Sequence, residues 1–127
     1  MTGKVTGASM AEMRFAGSSQ CQAVKFEAAL DLDTTMTCNC SRCQRLGSVL
    51  TFTPRAKFTL TSGEGSLTEY KFNKHRVGHQ FCKICGIETF AFADGKDGTP
   101  MAAVNVNCLD GVDPRVLKSK HVDGKSF

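Results

Sequence analysis

A chain of 127 residues, 41% hydrophobic and 22% charged, has enough apolar mass for one folded domain and is not disordered by composition. Its 16 Lys and Arg against 12 Asp and Glu leave a net charge of +4, which suits small anionic ligands. Nucleic-acid binders carry denser, clustered basic charge, and apolar runs of a few residues exclude a transmembrane helix.

Residues 1–12 are small and polar and lack the apolar block of a secretory signal, so they are expected to form a flexible lead-in. Residues 13–127 then form a single domain. Seven cysteines without a secretion signal point to a reducing, cytoplasmic setting in which close-spaced thiols bind metal or do chemistry. An odd count also excludes complete pairing within a monomer.

In chain order, Gly17, Ser18 and Ser19 predict a turn just before Cys21. Residues 23–28 alternate, with Val24, Phe26 and Ala28 on one face and Lys25 and Glu27 on the other, the period of a half-buried strand. A polar bend over 30–37 leads into Cys38-Asn39-Cys40-Ser41-Arg42-Cys43. Residues 41–46 predict one or two helical turns, with Ser41 as cap and Gly47 as stop. Strands are expected over 48–52 and 57–61, with Pro54 at a turn or sheet edge, and again over 67–72, 87–92 and 101–108. In the last of these Cys108 is in phase with Val104 and Val106, which makes it a packing residue. The tail from Asp110 reads as a polar loop with one helical turn. No helical period lasts beyond two turns, so the fold class is all-β, built of short antiparallel strands at 8–12-residue spacing with zinc-binding Cys knuckles.

Cys82-Lys83-Ile84-Cys85-Gly86 has the spacing of a metal knuckle, whose turn can aim backbone N–H groups at the sulfurs. Zinc suits the set, being borderline-soft and tetrahedral. Two divisions of the sulfurs satisfy the spacing equally. Cys40, Cys43, Cys82 and Cys85 would close one four-thiolate ribbon, a structural site in a protein- or nucleic-acid-binding module. Alternatively, Cys38, Cys40 and Cys43 hold one zinc with an open fourth position, the catalytic pattern, while Cys21, Cys82 and Cys85 hold another.

The segments Gly17 to Glu27, Cys38 to Gly47, His79 to Phe90 and Val104 to Asp110, in that order, resemble the glutathione-dependent formaldehyde-activating enzyme family, with which centromere protein V is grouped. The resemblance covers roughly residues 14–112. It implies a small all-β tent of antiparallel sheets and the second division of the sulfurs. Cys38, Cys40 and Cys43 match the family's catalytic zinc site, and Cys21, Cys82 and Cys85 match its structural site. Ser19 stands where the family has a fourth structural Cys, and Gln22 where it usually has Gly. The structural site is therefore expected to be weak, completed by another group, or empty. His79 is a conceivable substitute ligand, although a hydrogen-bonded strand histidine is the stronger reading.

The activity implied is addition of the glutathione thiol to formaldehyde, a carbon–sulfur lyase-type chemistry that gives S-hydroxymethylglutathione. An open zinc position can hold a thiol as thiolate, or it can polarise the aldehyde. Glutathione carries two carboxylates. Arg42 and Arg45, flanking the trio, are the first candidates to bind them, and Lys74, His75 and Arg76 the second.

Overall fold

The computed structural model describes residues 12–126. The expected lead-in lies outside the described residues apart from Glu12, which opens the first strand. The elements are β1 (Glu12–Ser18), β2 (Lys25–Asp31), β3 (Met36–Cys38), α1 (Ser41–Leu46), β4 (Leu50–Pro54), β5 (Phe58–Ser62), β6 (Leu67–Tyr70), β7 (Gly78–Cys82), β8 (Glu88–Asp94), β9 (Pro100–Asn105) and β10 (Lys120–Val122). Strands β1-β2-β5 form one sheet, and β10-β3-β4-β9-β8-β7-β6 form another. All pairs are antiparallel except β10 with β3. The all-β expectation holds, with this one parallel pair added.

The alternation in β2 buries Phe26, Ala28 and Leu30 and leaves Lys25 outside, as its period requires. Phe26 stacks on Phe58 of the same sheet at 5.5 Å. Phe90 from the other sheet meets both edge-on, at 5.7 Å and 4.6 Å, and Phe92 meets Phe58 at 5.7 Å. This cluster joins the two sheets. Fully burying each such side chain stabilises by about 2–3 kcal/mol, and favourable ring geometry adds about 1 kcal/mol per pair. Val24, Val104, Val106 and Leu109 complete the core around it.

Several boundaries differ from the sequence expectation for local reasons. The expected Gly-Ser-Ser turn is displaced: Gly17 and Ser18 pair with Phe26 and Lys25 as the end of β1, and the chain turns over residues 20–24 instead. β1 is an edge strand exposed over most of its length and therefore without a buried period. Pro54 ends β4, where β3 no longer pairs with it, so its missing N–H breaks no ladder bond. β9 stops at Asn105, whose side-chain oxygen accepts the N–H of Asn107 at 3.1 Å and turns Val106–Cys108 into a 3-10 turn. Val106 stays buried and Cys108 packs against the core, as expected. The tail is more ordered than a loop: its β10 lies alongside β3 and runs into the cysteine segment.

Candidate metal centres and the adjoining groove

Cys40 and α1 organise the first group of sulfurs. The N-cap of α1 is Cys40, not Ser41: its Sγ accepts the N–H of Cys43 at 3.3 Å, while Cys38 Sγ accepts the N–H of Cys40 at 3.4 Å. Gly47 ends the helix in the left-handed region at φ 67° and donates its N–H to Cys43 O, as a C-terminal glycine does. The helix thus brings its unpaired amides to a sulfur, where they favour negative charge. Burial raises the Cys40 thiol, but amide hydrogen bonds from Cys43 and Arg42 outweigh it and leave the pKa below its usual value. Burial and the neighbouring Cys40 and Cys38 push Cys43 up to about 12.

The Sγ atoms of Cys38, Cys40 and Cys43 lie within 4.8 Å of one another, as do those of Cys21, Cys82 and Cys85. A tetrahedral site with Zn–S of ~2.3 Å separates its sulfurs by ~3.8 Å, so both groups could hold a metal ion of that size. Three thiolates this close repel one another unless a cation sits among them. Ser48 gives a second indication of fit: its hydroxyl is buried without a hydrogen-bond partner, an orphaned polar atom close enough to Cys43 to favour the charged form of that sulfur. The donor sets are compatible with zinc.

The C-terminal segment covers the first group, which the sequence reading missed. Asn39 donates its backbone N–H to Val122 O at 3.2 Å and its side-chain N–H to Asp123 at 2.9 Å, and accepts the N–H of Lys125 at 3.0 Å. Gly124 then sits against Cys38 Sγ so closely that a Cβ would overlap it.

The second group is built by the 82–86 turn and the 19–24 loop. Cys85 is drawn down to about 6, first by the amide of Ile87 and then by that of Cys21. In Cys82 burial works against the amides of Cys85 and Ile84, and the amides prevail. Cys21 and Cys82 are 3.6 Å apart. Ser19, buried at 2% exposure, accepts the N–H of Val24 at 3.2 Å and lies 3.7 Å from Cys21 Sγ. It therefore stands at the edge of the group as a hydroxyl already engaged with the backbone. Gln22 adopts φ 66°, the left-handed region that favours glycine. His79 is absent from both groups; its Nδ1–H donates to Glu88 at 2.9 Å, so it is the hydrogen-bonded strand histidine of the stronger reading. The four sulfurs of the ribbon alternative are likewise split between two groups.

Beside α1 lies a groove of about 460 Å³ lined by Ser41, Arg42, Arg45, Leu46, Tyr70 and Phe72. That volume falls in the range of about 300–1,000 Å³ for small-ligand sites. Both predicted substrate arginines meet there. Arg42 is no free surface charge: its Nε–H donates to Glu88 at 2.7 Å, and its guanidinium lies 4.8 Å over the Tyr70 ring. Arg45 is exposed and holds Ser41 O at 2.9 Å. At ~100° per residue along the helix, Arg42 is a quarter-turn from Cys43 and Arg45 faces nearly opposite. Lys74, His75 and Arg76, by contrast, are exposed in the turn after β6 and do not line this groove.

The profile of the glutathione-dependent formaldehyde-activating enzyme family matches residues 14–122, a stretch that holds both sulfur groups and the groove. Among solved structures the chain is similar to the crystal structure of a Rhodobacter sphaeroides protein, a structural genomics target. The two share 29% identity and a TM-score of 0.76, over 84% of this chain and 99% of that one. With the sulfur clusters, the sheets and the profile in agreement, the chain belongs to the glutathione-dependent formaldehyde-activating enzyme family.

Proposed function

We propose that the protein is a zinc-dependent enzyme of carbon–sulfur lyase type that adds a thiol such as glutathione to formaldehyde or a related small electrophile. In this reading Cys38, Cys40 and Cys43 hold the catalytic zinc with one position open. Cys21, Cys82 and Cys85 hold a structural zinc, with Ser19 beside them in place of a fourth thiolate. When bound, zinc supplies a positive centre that keeps a substrate thiol in its reactive thiolate form at neutral pH.

The chain's own residues do the rest. The N-terminus of α1 places the amides of Cys43 and Arg42 on Cys40, biasing that sulfur toward the charged form a metal needs. Burial of Cys43 and the covering segment at Gly124 limit water at the first group. Arg42 and Arg45 line the groove at the helix and supply cationic donors for the carboxylates of a peptide thiol. A cytoplasmic setting belongs to the same reading; among the described residues no helix is long and apolar enough to cross a membrane.

The observation that carries the proposal is the division of six sulfurs into two groups of three, one of them next to a cationic groove. Cys43→Ser tests it. The variant is expected to stay folded, lose one zinc per chain and lose thiol–aldehyde addition. If it unfolds the domain as severely as Cys85→Ser does, the first group is a structural site like the second rather than a catalytic one.

A further inference from the structure

Beneath the groove lies a charged group that the reaction scheme above does not use. Glu88 is 5% exposed, and its carboxylate accepts from Arg42 Nε at 2.7 Å and from His79 Nδ1 at 2.9 Å. A carboxylate buried this far is tolerated only with such partners. Strict alternation from Phe90 would have turned Glu88 into the aromatic core. Between Gln80 and Phe81 the β7–β8 register shifts, so that Glu88 faces Phe81 and its side chain reaches His79 instead. Bulges of this kind re-aim a side chain at one point of a sheet.

His79 is fixed on its other face. It stacks on Phe72 at 5.4 Å, and Phe72 stacks on Tyr70 at 5.8 Å. Arg42 is therefore seated from two sides, by Glu88 at its Nε edge and by the Tyr70 ring beneath its plane. An arginine held in place during folding loses little further freedom when a ligand binds, whereas a mobile one must be ordered at that moment.

We propose that Glu88 is a positioning residue: it does not meet the substrate, but it fixes Arg42 in the groove and so sets the affinity for an anionic thiol. The proposal rests on the reading that Arg42 meets the substrate.

Tyr70 is the chain's single tyrosine and there is no tryptophan, so intrinsic emission reports on the ring under Arg42. Glutathione added to the zinc-loaded protein without aldehyde is expected to change that emission with saturation. Glu88→Gln should move the saturation to about tenfold higher glutathione and raise KM in parallel, while kcat falls less than about threefold and zinc per chain is retained. Arg42→Lys should weaken binding about equally, and the double variant should be no worse than the weaker single one. Should Glu88→Gln fail to fold, Glu88→Asp keeps the charge but shortens its reach, and is expected to weaken binding in the same direction. Saturation and KM within about twofold of wild type in a folded Glu88 variant would make the residue structural only and overturn the proposal, as would additive losses in the double variant. A wild-type protein that saturates but turns nothing over would refute the enzymatic reading, with the Glu88 question still decided by the emission curves. If glutathione does not saturate the wild type at all, both fall.

Discussion

Gly124→Ala places a methyl group where the C-terminal segment meets the first sulfur group. The new Cβ would overlap Cys38 Sγ and lie 3.6 Å from Cys40 Cβ. Two movements can relieve the overlap. Cys38 can turn its sulfur away, which in the metal-free chain costs about 0.5 kcal/mol as a rotamer change but in the metal-bound chain removes a ligand. Alternatively the segment can lift, giving up the bonds from Asn39 N–H to Val122 O, from the Asn39 side-chain N–H to Asp123 and from Lys125 N–H to Asn39 Oδ1, at 3.2 Å, 2.9 Å and 3.0 Å. Those three bonds are worth about 3 kcal/mol together. The metal-bound protein takes the second movement and the metal-free protein the first, so the difference of about 2.5 kcal/mol appears as a loss of about 70-fold in metal affinity. Competition with a chromophoric chelator measures it, and Gly65→Ala, whose Cβ meets nothing within 4 Å, is the control. Unchanged affinity in Gly124→Ala alongside a neutral control would refute the packing of this segment on Cys38.

Ser19→Cys should complete the second group with a fourth sulfur and raise its metal affinity at least about tenfold, seen in cobalt-substituted protein as stronger thiolate-to-metal absorption; unchanged absorption would show that position 19 cannot reach the metal. In chelator-stripped protein at pH 7, Cys85, with a pKa of about 6, is mostly thiolate, while Cys108, pushed up to about 12 by burial, is a thiol. Thiolate fraction rises as pH passes through the pKa, so alkylation of Cys85 should level off above about pH 7 while that of Cys108 is still rising at about pH 10. Mass spectrometry separates the two sites, and equal labelling at pH 7 would refute the assignment.

Local patterns were readable where one face of a segment is buried or a turn has its own chemistry. The alternation of Val24, Phe26 and Ala28 announced β2, and Gly47 marked the end of α1. The C-x-x-C-G knuckle was evident because its amides and sulfurs are neighbours in sequence. β1 was not readable, since an edge strand exposed over most of its length has no buried period to show. Ser41 looked like the better helix cap by residue type; Cys40 takes that place because its sulfur, held among Cys38 and Cys43, receives the amide of Cys43.

By itself the sequence determined the chemistry available: six sulfurs in three short motifs, two arginines flanking one of them, and a β-rich chain to carry them. Spacing left open whether those sulfurs close one site or divide into two. Tertiary structure gathers the sulfur atoms into two groups of three, because Cys21, on the loop after β1, meets Cys82 and Cys85 only once the two sheets are packed. It also brought Gly124 onto Cys38 through the parallel pairing of β10 with β3, strands more than 80 residues apart in sequence. And a one-residue shift between β7 and β8 turned Glu88 from the core toward His79 and Arg42. Each of these contacts is non-local, and the pairing that creates it is selected by burial across the whole sheet rather than by the residues on either side.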